Sequence, residues 1–330
     1  MTNILVTGGA GYIGSHTCKE LYKKGFTPVV LDNLSTGHAE FVKWGPFMLG
    51  DLQDKDHIRI AFDKYQPQAV VHFAASAYVG ESVVNPEKYY SNNVIGSLNL
   101  LKVMHEEKCY NLVFSSSCAT YGLPKSTPIT IDHMQKPINP YGTSKLIVEK
   151  VICDYINAYQ LSATILRYFN AAGADIDGDI GERHDPETHL IPNAINASLN
   201  SKKHLEIYGT DYNTSDGTCI RDYVHVTDLA EAHVLSLKKM FNQDDTNQSK
   251  QHIFNLGSEK GFSVYEIVSA VESITGAKIN IKKRPRRAGD PSILVADSTE
   301  ARTKLNWVPK YSSLKTIINS AHQWALSEER

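Results

Sequence analysis

A glycine-rich segment near the start of the chain constrains the fold more than any other feature. Gly8, Gly11 and Gly14 lie in Thr7–Gly14, directly after the apolar run Ile4–Val6 and directly before a segment with helical spacing. Glycines permit a tight turn there and let a phosphate group approach the backbone closely. The amides and dipole at the start of the following helix would meet the charge of that phosphate. The segment therefore predicts a strand, a dinucleotide-binding turn and a helix.

Further apolar runs alternate with segments of helical spacing along the first half of the chain. The runs are Val29–Leu31, Ala69–Phe73, Leu112–Phe114 and Thr164–Phe169, and the helical segments are Ser15–Lys24, Asp54–Tyr65, Tyr89–Glu107 and Tyr141–Tyr159. Continuous apolarity is typical of strands covered on both faces, and a repeated strand–helix–strand pattern gives right-handed crossovers. We predict an α/β fold with a doubly wound parallel sheet, the Rossmann arrangement, and a smaller C-terminal α/β substrate domain.

Composition excludes several classes of partner. The 330 residues are 42% hydrophobic, and 34 Lys and Arg residues nearly balance 36 Asp and Glu residues, which leaves a net charge of −2. A near-neutral chain has no overall field that would attract nucleic acid or an anionic membrane, so we expect neither as a partner. No apolar run approaches the roughly 18 residues of a membrane span.

The cysteines indicate a reducing compartment. There are five of them, widely spaced and never in a C-x-x-C pair. This pattern argues against a disulfide framework and against a cysteine-based zinc site. The chain also begins with a strand pattern rather than a charged leader and an apolar stretch. We expect a cytoplasmic protein.

Asp32 indicates which dinucleotide the turn would hold. It ends the second apolar run and lies 18 residues after Gly14. A carboxylate at this place accepts hydrogen bonds from the adenosine ribose and repels the additional phosphate of NADP, so NAD is favoured over NADP. Asp51, at the end of the expected third strand, could reach the adenine edge, and Phe73–Ser76 offers small residues where a strand must pass close to the cofactor.

The pattern changes after Asn170, where the second domain would begin. A stretch rich in Gly, Ala and Asp, Ala171–Gly181, is followed by shorter and less regular elements. We assign residues 1–170 to an NAD-binding Rossmann domain and residues 171–330 to the substrate domain. The domain assignment of part of residues 221–250 is left open, because Arg221–Met240 has a strand-and-helix pattern that would also fit the first domain. A polar loop is expected at Asn242–Gln251.

Tyr141 and Lys145 are candidate catalytic residues. Asn139 and Pro140 introduce a helix, and a spacing of four residues puts the phenol and the ammonium on one face of it. A tyrosine with the ordinary pKa near ~10 is a poor base at neutral pH, but a neighbouring positive charge favours its phenolate. Taken alone, a Tyr-x-x-x-Lys spacing on a helix is common and usually structural.

A run of hydroxyls supports the catalytic interpretation of this pair. Ser115, Ser116 and Ser117 end the fourth apolar strand, and ligands of an open parallel sheet bind at the carboxyl ends of its strands. Ser117 is placed to form a hydrogen bond with a substrate oxygen beside Tyr141. An ordinary serine-rich strand end remains an alternative for Ser115 and Ser116.

Motifs from many parts of the chain together resemble a known family. In order they are T-G-G-A-G-Y-I-G, D-N-L, H-F-A-A, V-G-E-S-V, N-N-V-x-G, F-S-S-S, Y-G-x-S-K, L-R-Y-F-N, R-D-Y-V-H-V-x-D-L and R-R-A-G-D. They resemble the extended short-chain dehydrogenase/reductase superfamily, and within it the UDP-glucose 4-epimerases of the NAD-dependent epimerase/dehydratase family. The resemblance runs from Thr2 to about Trp307. The early motifs specify only the superfamily, whereas the combination of later ones points to the epimerases.

The resemblance implies a reaction and a set of site residues. It implies reversible epimerisation at C4 of UDP-glucose and UDP-galactose through a 4-keto intermediate, with a role in galactose metabolism. Tyr141 would be the base, Lys145 would lower its pKa, and Ser117 would orient the sugar hydroxyl. The implied contacts to NAD come from Gly8, Gly11, Tyr12, Ile13, Gly14, Asp32, Asn33, Asp51, Leu52, Phe73, Ala74, Ala75, Asn92, Ser115, Tyr141, Lys145 and Tyr168. The implied contacts to the UDP-hexose come from Ser117, Tyr141, Asn170, His189, Leu190, Tyr208, Arg221, Arg287 and Asp290.

The resemblance also implies a homodimer, held by a helix bundle of Tyr89–Glu107 and Tyr141–Tyr159.

At one position the sequence leaves the substrate range open. Leu294 lies where a tyrosine closes the pocket to N-acetylated sugars and a small residue opens it, so UDP-N-acetylhexosamines remain an alternative substrate. His189 replaces an asparagine that is frequent in the family, and Ala77 replaces a lysine that some members carry.

Other functions fit the sequence less well. A nucleotide-sugar 4,6-dehydratase typically carries Asp-Glu after the strand-end hydroxyl, whereas this chain has Cys118-Ala119 there. A non-catalytic NAD-binding sensor should have lost Tyr141 or Lys145, and both are present. Lys282–Arg287 would suggest nucleic acid by charge alone, but the interpretation we favour is that Arg287 and Arg221 flank a diphosphate.

His184 and His189 could be taken for metal ligands. They lie five residues apart around a proline, in a segment expected to be a loop. This spacing gives no standard coordination set, so the sequence predicts polar residues of a surface or substrate loop and no metal.

Overall fold

The computed structural model describes residues 1–242, 251–287 and 289–328. Its strands, numbered in chain order, are β1 Thr2–Thr7, β2 Phe26–Asp32, β3 Phe47–Leu49, β4 Ala69–His72, β5 Asn111–Ser117, β6 Ser162–Tyr168, β7 Asn170–Ala172, β8 Leu205–Tyr208, β9 Ile220–His225, β10 Gln251–Leu256, β11 Gly261–Ser263, β12 Ile281–Arg284 and β13 Ile293–Leu294. The predicted polar loop at Asn242–Gln251 lies almost wholly outside these described residues.

The helices, also in chain order, are α1 Tyr12–Lys23, α2 Lys55–Tyr65, α3 Val79–Val84, α4 Pro86–Tyr89, α5 Gly96–Glu106, α6 Pro140–Tyr159, α7 Leu190–Leu199, α8 Val226–Phe241, α9 Val264–Thr275, α10 Thr299–Lys304 and α11 Leu314–Glu328. A π-helical stretch, Tyr90–Ile95, joins α4 to α5. Among the described residues, the helices include none that combines the length and the apolarity needed to cross a membrane.

A seven-stranded sheet forms the centre of the molecule. The strand order is β10-β6-β5-β4-β1-β2-β3, and every neighbouring pair is parallel. The chain starts in the middle of the sheet, builds one side through β2 and β3, and then crosses back to build the other through β4, β5 and β6. The sheet and its crossovers confirm the predicted doubly wound α/β fold.

Helices cover both faces of this sheet, which explains its continuous apolar strands. Ile4 and Val6 of β1 pack with α1 and α8 on one face, whereas Leu5 between them packs with α2, α5 and α6 on the other. Successive side chains of a strand point to opposite faces, so a strand covered twice must be apolar at every position.

The C-terminal half builds a smaller body and also returns to the large sheet. Strands β7, β9, β11 and β13 form one small sheet, β8 and β12 form a parallel pair, and α7, α9 and α11 supply an apolar core. In contrast, α8 packs against α1, and β10 is the edge strand beside β6. Elements from beyond Asn170 therefore contribute to both parts of the fold.

Candidate active site

The glycine turn ends β1 and opens α1. Gly8 has a φ of +74°, and a Cβ there would lie 2.6 Å from the amide nitrogen of Ala74. A Cβ at Gly14 would lie 2.1 Å from the carbonyl oxygen of Gly8. Gly11 precedes the first turn of α1 and provides no side-chain cap, so the first amides of the helix, at Tyr12 and Ile13, point out of the turn without helical partners. The turn is a cradle that fits an anion.

The carboxylates predicted to bind the adenosine lie at the ends of β2 and β3. Asp32 is 8% exposed and accepts hydrogen bonds from the amides of Ala10 and Leu34, at 3.0 and 2.8 Å. Burial raises the pKa of Asp32, and the two amides act against that rise. Asn33 donates a 2.9 Å hydrogen bond to Asp51, so these two side chains form one polar edge beside Asp32.

The other predicted cofactor residues border the same edge of the sheet. The amides of Phe73 and Ala74 both donate to the carbonyl oxygen of Thr7, which holds the end of β4 against the glycine turn. Asn92 donates a 3.1 Å hydrogen bond to the hydroxyl of Ser76. Leu52 is buried where the chain leaves the end of β3.

Tyr141 and Lys145 lie in the first two turns of α6, and both are buried. Asn139 caps this helix by accepting a 2.8 Å hydrogen bond from the amide of Gly142, and Pro140 is its first residue. The Nζ of Lys145 donates a 2.8 Å hydrogen bond to the carbonyl oxygen of Ser115 at the end of β5. This bond joins α6 to the strand that carries the predicted hydroxyls.

Burial favours the neutral forms of both groups. It raises the pKa of Tyr141 to about 12, and the hydroxyl of Ser117 opposes that rise. It lowers the pKa of Lys145 to about 7, and the carboxylate of Glu149 opposes that fall. A neutral phenol beside a neutral amine contains the same number of protons as a phenolate beside an ammonium. Transfer of the phenol proton to the amine would therefore give a phenolate without releasing a proton to water.

The hydroxyls at the end of β5 have distinct partners. Ser117 is 8% exposed and accepts a 3.1 Å hydrogen bond from the amide of Ala119, which leaves its own proton for another acceptor. Ser115 is hydrogen-bonded to the phenol of Tyr168, at the end of β6. Burial raises the pKa of Tyr168 above its ordinary value, so this phenol stays protonated.

A buried ion pair beneath the site was not predicted from the sequence. Glu149 and Arg167 are paired at 2.7 Å, and each side chain is only 4% exposed. Ser116 and Gln135 also donate to the Glu149 carboxylate. One signal could have found the pair: Glu149 follows Lys145 by four residues, on the same face of the helix, and a carboxylate buried there needs a cation.

A second group of predicted residues lies in the C-terminal half. Arg221 on β9 pairs with Asp290 at 2.5 Å, and Leu294 on β13 lies beside Arg221 in the strand register. The guanidinium of Arg287 lies 4.1 Å from the ring centre of Tyr208. The amide of Asp290 donates to the carbonyl oxygen of Arg287, so these two pairs meet at one turn. Their guanidinium groups and the Tyr208 ring could hold a diphosphate and a planar base.

The other residues predicted to bind the substrate are Asn170, His189 and Leu190. Asn170 donates a 2.9 Å hydrogen bond to the carbonyl oxygen of Asp222, which ties β7 to the strand that carries Arg221. His189 and Leu190 lie at the start of α7. Among the described residues, His189 is hydrogen-bonded to Glu182 rather than to any member of the Arg221 group.

The fold and this site together define a class of proteins. A doubly wound parallel sheet with a glycine turn after its first strand, and a buried Tyr-x-x-x-Lys pair beside its strand ends, is typical of the extended short-chain dehydrogenases/reductases. A family model described as "NAD dependent epimerase/dehydratase family" matches residues 4–257. The chain belongs to that family, which confirms the resemblance seen in its motifs.

Similar proteins extend this relationship over nearly the whole chain. A UDP-glucose 4-epimerase of Rhizobium leguminosarum bv. trifolii is 49% identical over 97% of this chain and 96% of its own length. The crystal structure of UDP-glucose 4-epimerase from Brucella ovis in complex with NAD is 52% identical, covers 98% of both chains and has a TM-score of 0.93. That of UDP-glucose 4-epimerase from Bifidobacterium longum, in complex with NAD+ and UDP, is 35% identical over 99% of both chains with a TM-score of 0.92.

Proposed function

We propose that this chain is an NAD-dependent isomerase that interconverts UDP-glucose and UDP-galactose by inverting C4 of the hexose. The observation that carries the proposal is the buried pair of Tyr141 and Lys145, held at the strand ends by the bond from Lys145 to Ser115. Inversion of a secondary alcohol needs a base, a hydride acceptor and a way to present both faces of the ketone. The chain has residues suited to each of these tasks.

The residues at the glycine turn fit NAD. The positions of Gly8 and Gly14 leave no room for a Cβ, and the turn between them aims unpaired amides at the place where a pyrophosphate would lie. Asp32 would accept hydrogen bonds from the adenosine ribose, and its carboxylate would exclude NADP. When bound there, NAD+ would supply the acceptor and later the donor of the hydride at C4.

Tyr141 moves the proton in both directions. As a phenolate it takes the proton of the C4 hydroxyl while the hydride leaves, which gives the 4-keto sugar. After the hydride has returned to the other face, the same phenol gives the proton back to the new alkoxide. Ser117 would donate a hydrogen bond to the C4 oxygen and keep it within reach of Tyr141. No net oxidation results, so the cofactor need not leave between turnovers.

The UDP portion would be held in the C-terminal half. Arg221 and Arg287 can bind the two phosphates, and Tyr208 can pack against the uracil. The ketone must present its second face to the cofactor, so the hexose has to rotate while the nucleotide stays fixed. Binding energy from this non-reacting part of the substrate retains the intermediate during that rotation.

Conversion of UDP-galactose by the purified protein tests the proposal. Incubation followed by chromatography of the nucleotide sugars should show UDP-glucose accumulating toward an equilibrium mixture, and the same mixture should form from UDP-glucose. Recovery of only the starting sugar, from protein that demonstrably carries NAD, would reject the enzymatic function and favour a non-catalytic NAD-binding role.

We also propose a cytoplasmic homodimer. The helical segments Tyr89–Glu107 and Tyr141–Tyr159 carry exposed apolar side chains, namely Tyr90, Ile95, Leu98 and Tyr159. A partner chain that packed on these helices would remove them from water and form a helix bundle. Light scattering during size-exclusion chromatography tests this: a mass of two chains is expected, and a single-chain mass at micromolar concentration would contradict it.

A further inference from the structure

The loop between β7 and α7 gathers two histidines and two glutamates. Glu182, His184, Glu187 and His189 each offer one ligand atom, and these four atoms lie within 4.8 Å of one another. The sequence spacing around Pro186 fits no standard coordination motif. The loop nevertheless folds back on itself, so residues up to seven positions apart become neighbours.

Three distances within this cluster are close to those of a tetrahedral coordination shell. The Nδ1 of His184 lies 3.3 Å from the Oε1 of Glu182 and 3.6 Å from the Oε2 of Glu187, and the Nδ1 of His189 lies 3.7 Å from the Oε1 of Glu187. Bonds of about 2.0–2.1 Å in a tetrahedral zinc site put neighbouring ligand atoms about 3.3–3.4 Å apart. His189 and Glu182 are closer still, as a direct hydrogen-bonded pair.

The partners of these atoms also fit a cation bound among them. The Nδ1 of His184 is buried and makes no hydrogen bond of acceptable geometry in the described structure. The Glu182 side chain is 5% exposed, and in residues 1–242, 251–287 and 289–328 its ion pairs are with His184 and His189 alone. A neighbouring cluster of Asp175, Asp177 and Asp179 differs, because the Nζ of Lys19 fills it at 2.5 to 2.8 Å.

We propose that Glu182, His184, Glu187 and His189 bind one divalent transition-metal ion, and that zinc fits the site best. Two imidazole nitrogens and two carboxylate oxygens form a mixed donor set of the kind that zinc accepts in tetrahedral geometry. Calcium and magnesium prefer an all-oxygen shell with more ligands, so the two imidazoles disfavour them.

The site is structural rather than catalytic. Four protein ligands complete a tetrahedral shell and leave no open position for water or substrate. The ring of His184 makes edge contacts with Tyr12, which begins α1, and with Tyr78, which precedes α3. His189 is the residue before α7. A bound ion would therefore fix the loop against the glycine turn and against the start of α7.

A metal-free ion-pair cluster is the competing explanation. Burial disfavours a charged His184, but the carboxylates of Glu182 and Glu187 outweigh burial and raise the pKa of His184 to about 9. Two protonated histidines could then balance the two glutamates without any ion. The two explanations differ in stoichiometry, because only the first requires one tightly held metal ion per chain.

Zinc itself is the probe for the test. Protein carrying NAD is treated with a chelator and then incubated with a small molar excess of zinc. Unbound zinc is removed by dialysis, and the bound metal is measured by mass spectrometry. One zinc per chain is expected, together with a higher melting temperature than that of the chelated protein. His184→Gln and Glu187→Gln should each weaken zinc binding at least tenfold in competition with a chromophoric chelator.

His204→Gln is the matched control. His204 lies 3.6 Å from a single glutamate, Glu206, outside the cluster, and its replacement should leave zinc binding unchanged. Zinc well below one equivalent in the unmodified protein would overturn the proposal. Equal zinc binding by the control and both cluster variants would also overturn it. Circular dichroism spectra of the two cluster variants are compared with that of the unmodified protein, and an unchanged spectrum excludes unfolding as the cause of a loss of zinc.

Discussion

Lys145 donates its hydrogen bond to the carbonyl oxygen of Ser115, 2.8 Å away, and so the side chain of Lys145 on α6 is attached to the end of β5 through a backbone atom. The Nζ also lies 5.0 Å from the ring centre of Phe114, the residue before Ser115. A backbone acceptor cannot be lost by side-chain rotation. The amine is therefore held at the end of β5, about one helical turn after Tyr141 on α6.

Replacement of Lys145 should change the pH dependence of turnover. The pKa of Lys145 is lowered to about 7, so below that pH the amine takes up an additional proton and the pair can no longer form a phenolate by internal transfer. Wild-type kcat/KM should therefore fall as the pH drops below about 7. In Lys145→Met the phenol of Tyr141 must lose its proton to water, and burial raises the pKa of that phenol to about 12. The fall of kcat/KM at low pH should therefore begin at a higher pH than in the wild type.

The expected loss in Lys145→Met is on the order of 10²-fold at neutral pH and smaller at higher pH. Kinetics across the pH range measure this change. Lys150→Met, on the exposed side of the same helix, should keep the wild-type profile. A reduction in Lys145→Met that is uniform at every pH would show that the lysine acts only through packing.

Tyr141→Phe should keep bound NAD and lose turnover. The substitution removes the proton acceptor but retains the ring that packs at the start of α6. Loss of a positioned general base costs roughly 10²–10⁴-fold in kcat. The control Tyr22→Phe removes an exposed phenol from α1 and should leave kcat unchanged. Near-normal turnover in Tyr141→Phe would remove its assigned role.

Glu149→Gln should destabilise the protein strongly. It leaves the guanidinium of Arg167 buried without its counter-charge, and loss of one partner of a buried pair costs about 3–5 kcal/mol. Glu300→Gln is the control, because Glu300 pairs with Lys304 at the surface, where such pairs contribute about 0–1 kcal/mol. Urea unfolding measures both free energies. A cost below about 1 kcal/mol for Glu149→Gln would contradict the structural role of this pair.

Leu294→Tyr should narrow the substrate range. Leu294 lies beside Arg221 in the strand register and packs on the small core of Tyr121 and Phe169. A larger ring there should depress turnover of UDP-N-acetylgalactosamine at least tenfold more than turnover of UDP-galactose. Ile293→Tyr places the same ring on the opposite face of β13 and should not discriminate between the sugars. Equal effects of Leu294→Tyr on both substrates would reject the gating role.

The fold was predictable because its signals are local. The central strands of the large sheet are buried on both faces and are therefore continuous apolar runs, as at Ile4–Val6 and Leu112–Phe114, whereas the edge strand β3 is partly exposed. The glycine turn has a backbone that other residues cannot adopt without collision, so its sequence is tightly constrained. The Tyr141–Lys145 spacing follows directly from helical periodicity.

Contacts between distant segments were not predictable in the same way. The Glu149–Arg167 pair joins α6 to β6, and nothing in either segment alone specifies the partner. The cluster around His184 depends on how one irregular loop folds back, which no periodic pattern encodes. The return of α8 and β10 to the large sheet also depends on packing, and the boundary between residues 1–170 and 171–330 stays a prediction.

The fate of the hydrogen at C4 tests the central claim most directly. UDP-galactose that carries deuterium at C4 of the hexose is incubated with the purified protein in ordinary water, and the UDP-glucose formed is analysed by mass spectrometry and NMR. Because the hydride is stored within the site and returned to the same carbon, the product should retain the deuterium at C4. Loss of the label to water, or failure to form UDP-glucose from protein loaded with NAD, would contradict the account.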